Sequence, residues 1–408
     1  MDTIKVVCEN TRTTLAVKRG TSLLELCEQL CIECKHPILA AYVNNRIKEL
    51  RYRVYTPVTI RFVDITHFVG YRVYQRTASF VAHKAVSELY PGCAFHIRHS
   101  LGDGFYCEIE GESELSQADC DKIVNAMQQI VDADYPIIRS RELTSDVLRF
   151  YEEEGYSDKA ELLTTRPRLY SNICRMDNMV GYFYGALAPS SGYVTSFAIV
   201  PYYNGFFLAL PERSNPDNIR TEVNRDKMFD VFHEYQEWVR IMGVPTVGSL
   251  NRKILGGDSS ELIKLAEAFH ERKLSQIADA IYEANTSHGT RLVLISGPSS
   301  SGKTTTAKRL GIQLHLLGLN PVLISLDDYF VERDKTPLDE NGEYDYDEDG
   351  WCSEKYLDVH EETINSTVTD NNGNSYTTDG TGKGIVANTY SGVNVRTGPS
   401  TAYATTGK

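Results

Sequence analysis

The amino-acid sequence predicts a multidomain chain that combines α+β and α/β units, and three observations carry that reading. Its 408 residues exceed what one ordinary core organises. The first 64 residues pattern as strand, strand, helix, strand, strand. Further on, an apolar run at 291–296 passes through a GxxxxGK[ST] motif, Gly297 to Thr304, into a helical pattern, as in a parallel sheet unit. Hydrophobic residues at 41% suffice to fill several cores.

In residues 1–64, IKVVCE and TTLAVKRG read as a hairpin. The helix TSLLELCEQL follows, with Thr21 or Ser22 as its cap, and ILAAYVNN and TPVTIRFV supply further strands. This order at this size is the β-grasp pattern, and the segment resembles the TGS domain, a ubiquitin-like module of threonyl-tRNA synthetases and some GTPases. Cys27, Cys31, Cys34 and His36 cluster here. They match no common zinc spacing, so small residues on an apolar helix face are the plainer reading. Nine cysteines at irregular spacing suit reduced thiols better than a disulfide framework.

Residues 65–230 carry TASFVAHKAVSELYPGCAF, the strand segment HIRHSLGDGFYCEIEG, and a helix around SQADCDKIVNAMQQIVDADYPI. Gly104-Phe105-Tyr106 and Tyr170-Ser-Asn-Ile-Cys174-Arg175 extend the match, and the region resembles the second, editing domain of threonyl-tRNA synthetase. That family hydrolyses mischarged tRNA with two histidines four apart, a cysteine and a further histidine. Here the resemblance places Phe80 and Lys84 at the first two positions, retains Cys174, and puts Asn178 at the last. His83 is displaced by one residue, a rotation of about 100° on a helix. A retained scaffold without editing hydrolysis follows. His96 and His99 alternate on a strand and share no face of known chemistry.

From residue 231 to 289 the spacing turns helical, in FHEYQEWVRIM and SSELIKLAEAFHERKLSQIADAIYEAN, which reads as a connector with His270 in a structural place. The next unit, residues 290–350, begins with RLVLIS, Gly297-Pro298-Ser299-Ser300-Ser301-Gly302-Lys303-Thr304-Thr305 and a helix. The two glycines let the loop close on a phosphate, and its amides with the helix amino terminus face the anion. Lys303 is expected to reach the β and γ phosphates of ATP, and the Thr304 hydroxyl to hold Mg²⁺. PVLISL (321–326) reads as a second buried strand delivering Asp327 to the same sheet edge. There Asp327 either serves catalysis with Lys303, as the base for a hydroxyl acceptor or by holding Mg²⁺ through water, or is a solvated loop acid.

GPSSSGKTTTAKRL, VLISLDDYF and KTPLDENGEYDYD resemble the uridine kinase and phosphoribulokinase family. The resemblance implies an ATP- and Mg²⁺-dependent kinase, with Asp327 activating a small-molecule hydroxyl such as that of uridine and Asp345 or Asp347 positioning the sugar. The stretch to Gly350 lacks the family's later strands and lid, so the expected sheet is partial and the expected turnover little or none. Residues 351–408 are a polar, foreign-looking tail whose Val393–Ser400 stretch resembles the start of a bacterial Src-homology-3-like repeat.

A net charge of −13 argues against a general nucleic-acid coat, though not against a local basic patch. No apolar run spans a membrane and no signal peptide opens the chain, which leads to the expectation of a cytoplasmic protein. Two functions compete. One is the kinase; the other is a non-enzymatic module that binds RNA or a ribosomal partner under regulation by ATP.

Overall fold

The amino-terminal hairpin forms where alternation places it, β1 (Thr3–Cys8) running antiparallel to β2 (Thr13–Lys18) with Thr3 opposite Lys18. The computed structural model describes residues 3–325 except 33, 113, 223–225 and 299, together with residues 367–369 and 375–377. The chain divides into two compact units, Met1–Ser259 and Ser260–Lys408.

After β3 (Thr21–Ser22) comes α1 (Leu23–Leu30), fixed by a capping box. The Glu25 amide donates to Ser22 Oγ at 3.2 Å, and the Ser22 amide donates to the Glu25 carboxylate at 2.6 Å. Then follow β4 (Ala40–Val43), β5 (Arg46–Lys48), β6 (Arg53–Val54) and β7 (Val58–Val63). The main sheet runs β2-β1-β7-β4-β5, with β1 and β7 parallel. Val6, Leu23, Leu26 and Ile60 meet in its fully buried core. Asn10 bridges the hairpin to β7 as a stand-in peptide, donating to Phe62 O at 3.1 Å and accepting from the Phe62 amide at 2.7 Å.

The next layer is the long helix α2 (Phe68–Leu89), then β8 (Phe95–Leu101), β9 (Gly104–Ile109), α3 (Gln117–Asp132) and β10 (Ile137–Leu143). Helices α4 (Thr144–Glu153) and α5 (Ser157–Thr164) precede β11 (Tyr170–Met176), β12 (Met179–Gly181), β13 (Ala198–Tyr202) and β14 (Gly205–Ala209). Two sheets result, β13-β14-β9-β8 and β10-β11-β12. Helices α2 and α3 bury Phe80, Val86, Ile123 and Met127 with Cys107, Cys174 and Phe206. The sheet β10-β11-β12 covers its other face with α4 and α5 through Ile173, Val147, Tyr151 and Leu163. Gly104 cannot be replaced without backbone movement, because a Cβ there would lie 2.1 Å from Leu208 O on the neighbouring strand.

Helices α6 (Asp226–Ile241) and α7 (Val247–Leu255) belong to the first unit, so the expected connector is divided. Phe229 stacks on Tyr203 at 3.7 Å, and Phe232 on His99 at 4.3 Å, which seats α6 on aromatic side chains of β8 and of the β13–β14 turn. Thr246 caps α7, whose Asn251 amide donates to Thr165 Oγ1 at 3.1 Å.

In the second unit α8 (Ser259–His288) packs against α9 (Lys303–Leu316) through Leu274, Ala278, Leu310 and Leu314. Arg309 pairs with Glu271 and lies 3.2 Å from His270 Nδ1. The two expected parallel strands do not form: among the described residues, neither 291–296 nor 321–325 enters a ladder. Leu292, Val322 and Leu323 stay 37–45% exposed. A strand is stable only with a neighbour to take its amides and carbonyls, and none is at hand among the described residues. A short ladder joins β15 (Thr367–Thr369) to β16 (Ser375–Thr377). The rest of the 351–408 tail, with Val393–Ser400, lies outside the described residues. Among the described residues no helix is long and apolar enough to cross a membrane.

Candidate functional site

Within the first unit, α2, α6, α7, the turn after α4 and residues 178–180 enclose a cleft of about 1360 Å³. Its chemistry is set by Lys84, which projects from α2 with 1% of its surface exposed. The ammonium donates to Asn178 Oδ1 at 2.7 Å and Asp177 Oδ2 at 2.9 Å, and pairs with Glu88 at 2.7 Å. Burial pulls its pKa down, but the hydrogen bonds to Glu88 and Asp177 outweigh burial and hold it above its ordinary value. Lys84 and Asn178 are two of the positions at which the sequence resemblance calls for histidine, and here they are bonded to each other.

The remaining two positions are sealed. Phe80 is fully buried, packs on Phe183 at 5.1 Å, and lies close enough to Gly181 that a Cβ there would come within 2.9 Å of the ring. Cys174 has no exposed surface, sits between Arg139 and Gly181 in the sheet, and has its thiol pushed up to about 12 by burial. Such a group is neither ionised nor reachable at neutral pH. Arg139 donates to Glu49 at 2.9 Å and to the carbonyls of Phe183 and Gly185 at 3.0 and 2.6 Å, tying this sheet to the amino-terminal segment.

His83, one position along α2, lies between Phe95 at 5.8 Å and Tyr156 at 5.9 Å. Burial drives its pKa down to about 3, with Lys159 and His96 adding to the effect, so it is neutral. Lys159 stands 4.0 Å over the Tyr156 ring, and burial lowers its ammonium to about 8. Sequence reasoning missed Lys159, since a single lysine in GYSDKAEL carries no spacing signal. His96 faces Glu110 at 3.7 Å, while both ring nitrogens of His99 are buried without a hydrogen-bond partner. The cleft therefore presents a fixed cation and mixed charge, with no histidine pair and no thiolate for ester hydrolysis.

A second cleft of about 720 Å³ is lined in part by Cys27, Cys34 and His36. Burial, then Cys34, raises the Cys27 thiol to about 11. Among the described residues no group of three or more histidine, cysteine or acidic side chains could hold a metal.

In the second unit the glycine-rich loop ends at Gly302, the N-cap of α9, at φ 85°, and Ser300 also takes a left-handed backbone at φ 61°. No side chain caps the helix, so its first amides are left to whatever occupies the loop. Lys303 folds back to donate to Gly297 O at 2.9 Å and Pro298 O at 3.0 Å. Thr304 and Thr305 are exposed in the first turn, beside exposed Ser301. Ser299, Asp327, Asp345 and Asp347 lie outside the described residues.

No family model matches the chain. It is 20% identical over 240 residues to the threonine–tRNA ligase of Clostridium kluyveri, covering 59% of this chain and 37% of that protein. It is 26% identical over 182 residues to the Acetivibrio thermocellus threonine–tRNA ligase, covering 44% and 29%. The match to that of Syntrophomonas wolfei is 27% over 148 residues, covering 36% and 23%. The chain thus spans well under half the length of these relatives, and the likeness is consistent with a region of TGS and editing type. It also corrects the kinase reading. The relatives are named as ligases, not phosphotransferases, none is a uridine kinase, and the RNA-associated alternative fits better.

Proposed function

We propose that the chain is a non-enzymatic, RNA-associated binding module, whose cleft holds an RNA end, free or ribosomal, without hydrolysing an ester from it. The observation that carries this reading is the Lys84–Asn178 hydrogen bond at 2.7 Å, which occupies two positions where a hydrolytic relative would present histidines. The sealing of Cys174 points the same way. Similarity to proteins named for their action with tRNA supplies the ligand class.

In this reading the loop from Gly297 to Thr305 takes the phosphates of ATP as a regulator. Lys303 swings from the Gly297 and Pro298 carbonyls to the β and γ phosphates, and Thr304 holds Mg²⁺. The role of Lys303 is binding.

The test is anisotropy of the full chain with an acceptor-stem RNA minihelix, alongside release of amino acid from charged tRNA. Saturable binding with release no faster than in buffer is expected. Cys174-dependent release would overturn the non-hydrolytic part, and absence of binding the RNA part. Lys303→Ala should weaken MgATP binding by about tenfold or more, as loss of a charge-assisted contact would; unchanged affinity would remove the nucleotide from the proposal.

A further inference from the structure

Helix α6 forms one wall of the cleft and rests on the ring of one histidine. Phe232, Tyr235, Gln236, Val239 and Arg240 line the cleft and fall at i, i+3, i+4, i+7 and i+8, a single helix face. Phe232 is shared between two neighbours, because its ring also stacks on His99 of β8 at 4.3 Å and 11°. Phe229, about one turn earlier, lies 6.2 Å from His99, meets Tyr106 of β9 edge to face at 5.0 Å and stacks on Tyr203.

Both ring nitrogens of His99 are buried and, among the described residues, have no hydrogen-bond partner. A neutral imidazole has one donor and one acceptor in either tautomer, so the docked helix leaves both unpaired. A protonated ring would leave two donors and a charge in the same place, at a higher cost. The groups around it offer little relief. Glu108 of β9 favours the proton, but burial outweighs it and holds His99 below its ordinary value, and Glu108 is already paired with Arg98 of β8 at 2.5 Å. Tyr106 presents its ring at 5.3 Å, Tyr202 of β13 meets Tyr106 at 5.9 Å, and on the helix side His233 stacks on Phe229 at 5.9 Å. Water would pair both nitrogens as soon as the helix lifted.

We infer that α6 is a movable wall, latched by the neutral ring of His99 and released when that ring takes a proton, so that acid loosens the cleft's grip on its RNA end. The ligand rests on the RNA-associated reading, while the latch stands on these contacts alone. Phe232 couples the two, since it belongs both to the latch and to the cleft.

Hydrogen exchange of the full chain, corrected for the pH dependence of the intrinsic rate, reads the latch. A lone helix of 16 residues is marginal in water, so an undocked α6 exchanges freely. A proton taken at the ordinary 6.5 by the undocked state alone lowers the docking ratio about tenfold between pH 7.5 and 5.5. Protection of the α6 amides should fall by that factor, and that of α3 by less. His99→Phe keeps a ring against Phe232 and cannot titrate, so its α6 protection should stay level; His99→Asn should dock less tightly and be level too, with circular dichroism to check both folds. Saturating acceptor-stem minihelix should raise α6 protection at pH 5.5. Level protection in wild type, an equal fall in α3, or a fall that persists in both variants would overturn the latch. A minihelix that binds yet leaves α6 exchange unchanged would overturn its coupling to the cleft. A minihelix that binds at neither pH, with α6 loosening as expected, sinks the RNA reading and leaves the latch.

Discussion

The two units handle apolar sequence in opposite ways. In Met1–Ser259, Val6, Leu23, Phe80, Ile123 and Phe206 have no more than a trace of exposed surface, because each element read from the sequence meets another that covers it. In the second unit the fully buried apolar residues among those described are Leu274, Ala278, Leu310 and Leu314, while Ile263, Ile312 and Leu316 are 59–76% exposed. RLVLIS and PVLIS are as apolar as β7, yet β7 is a strand and they are not. The difference is in neighbours, since β7 has β1 on one side and β4 on the other. Apolar character proposes a strand, and only a paired edge makes one.

The sharpest way to break this comparison is to cut each core. Phe80→Ala should cost about 3–5 kcal/mol of the first unit's stability, as expected for an aromatic truncation in a closed core. Leu314→Ala should cost about 2 kcal/mol, the low end for such a truncation, and act on the second unit alone, since a thin core relaxes more readily. Urea unfolding with limited proteolysis separates the two. If Leu314→Ala lowered the first unit's midpoint as far as Phe80→Ala does, the independence of the two cores would be wrong.

The same contrast explains what was legible. The hairpin, α1 with its Ser22 cap, α2, α3 and α9 follow from alternation, helical spacing and caps, all local signals. The candidate cleft was legible residue by residue through Phe80, Lys84, Cys174 and Asn178. Their joining was not, because a bond between α2 and the turn after β11 spans 94 residues and has no periodic signature. Arg139 with Glu49, 90 residues apart, was invisible for the same reason, and Lys159 because a lone lysine carries no spacing signal. The expected strands at 291–296 and 321–326 met the converse problem: among the described residues, 291–296 and 321–325 are apolar but pair with no neighbour.

Lys84 sharpens the comparison at the site itself. Lys84→Ala should destabilise the first unit by about 2 kcal/mol, less than for a fully enclosed pair because Asp177 and Glu88 remain half exposed. Lys84→Met keeps the packed stem and loses only the ammonium, so about 1 kcal/mol is expected. Denaturant midpoints of the two variants decide it. A Lys84→Met variant as stable as wild type would mean that the charge contributes nothing beyond its stem.

Acid should act on the first unit through His83. Burial depresses its folded pKa from the ordinary 6.5 to about 3, so between these values the unfolded chain holds more protons than the folded one. That contribution is fully present above about 6.5 and is lost as pH falls toward 3. His83→Gln should flatten the fall in melting temperature over that window without abolishing it, since burial also depresses His67, His96 and His99. A variant whose slope matched wild type would show that His83 is protonated in the folded protein.

The smallest expected effect concerns how helices begin. In α3 the Asp119 amide donates to Ser116 Oγ at 3.2 Å, and the Ser116 amide donates to Asp119 Oδ2 at 3.2 Å, so the box satisfies two amides at one terminus. Helix α9 starts at Gly302 with no side chain over its amides. Ser116→Ala should therefore cost about 1 kcal/mol, read as a drop in the urea midpoint of the first unit with its slope unchanged. An anion added to wild type should do for α9 what Ser116 does for α3. Inorganic phosphate should raise the protection of the Lys303–Thr305 amides from hydrogen exchange while leaving those of α3 as they were. Phosphate that protected neither helix, or both equally, would mean that the open terminus of α9 is not an anion site, and the contrast between the two starts would reduce to composition.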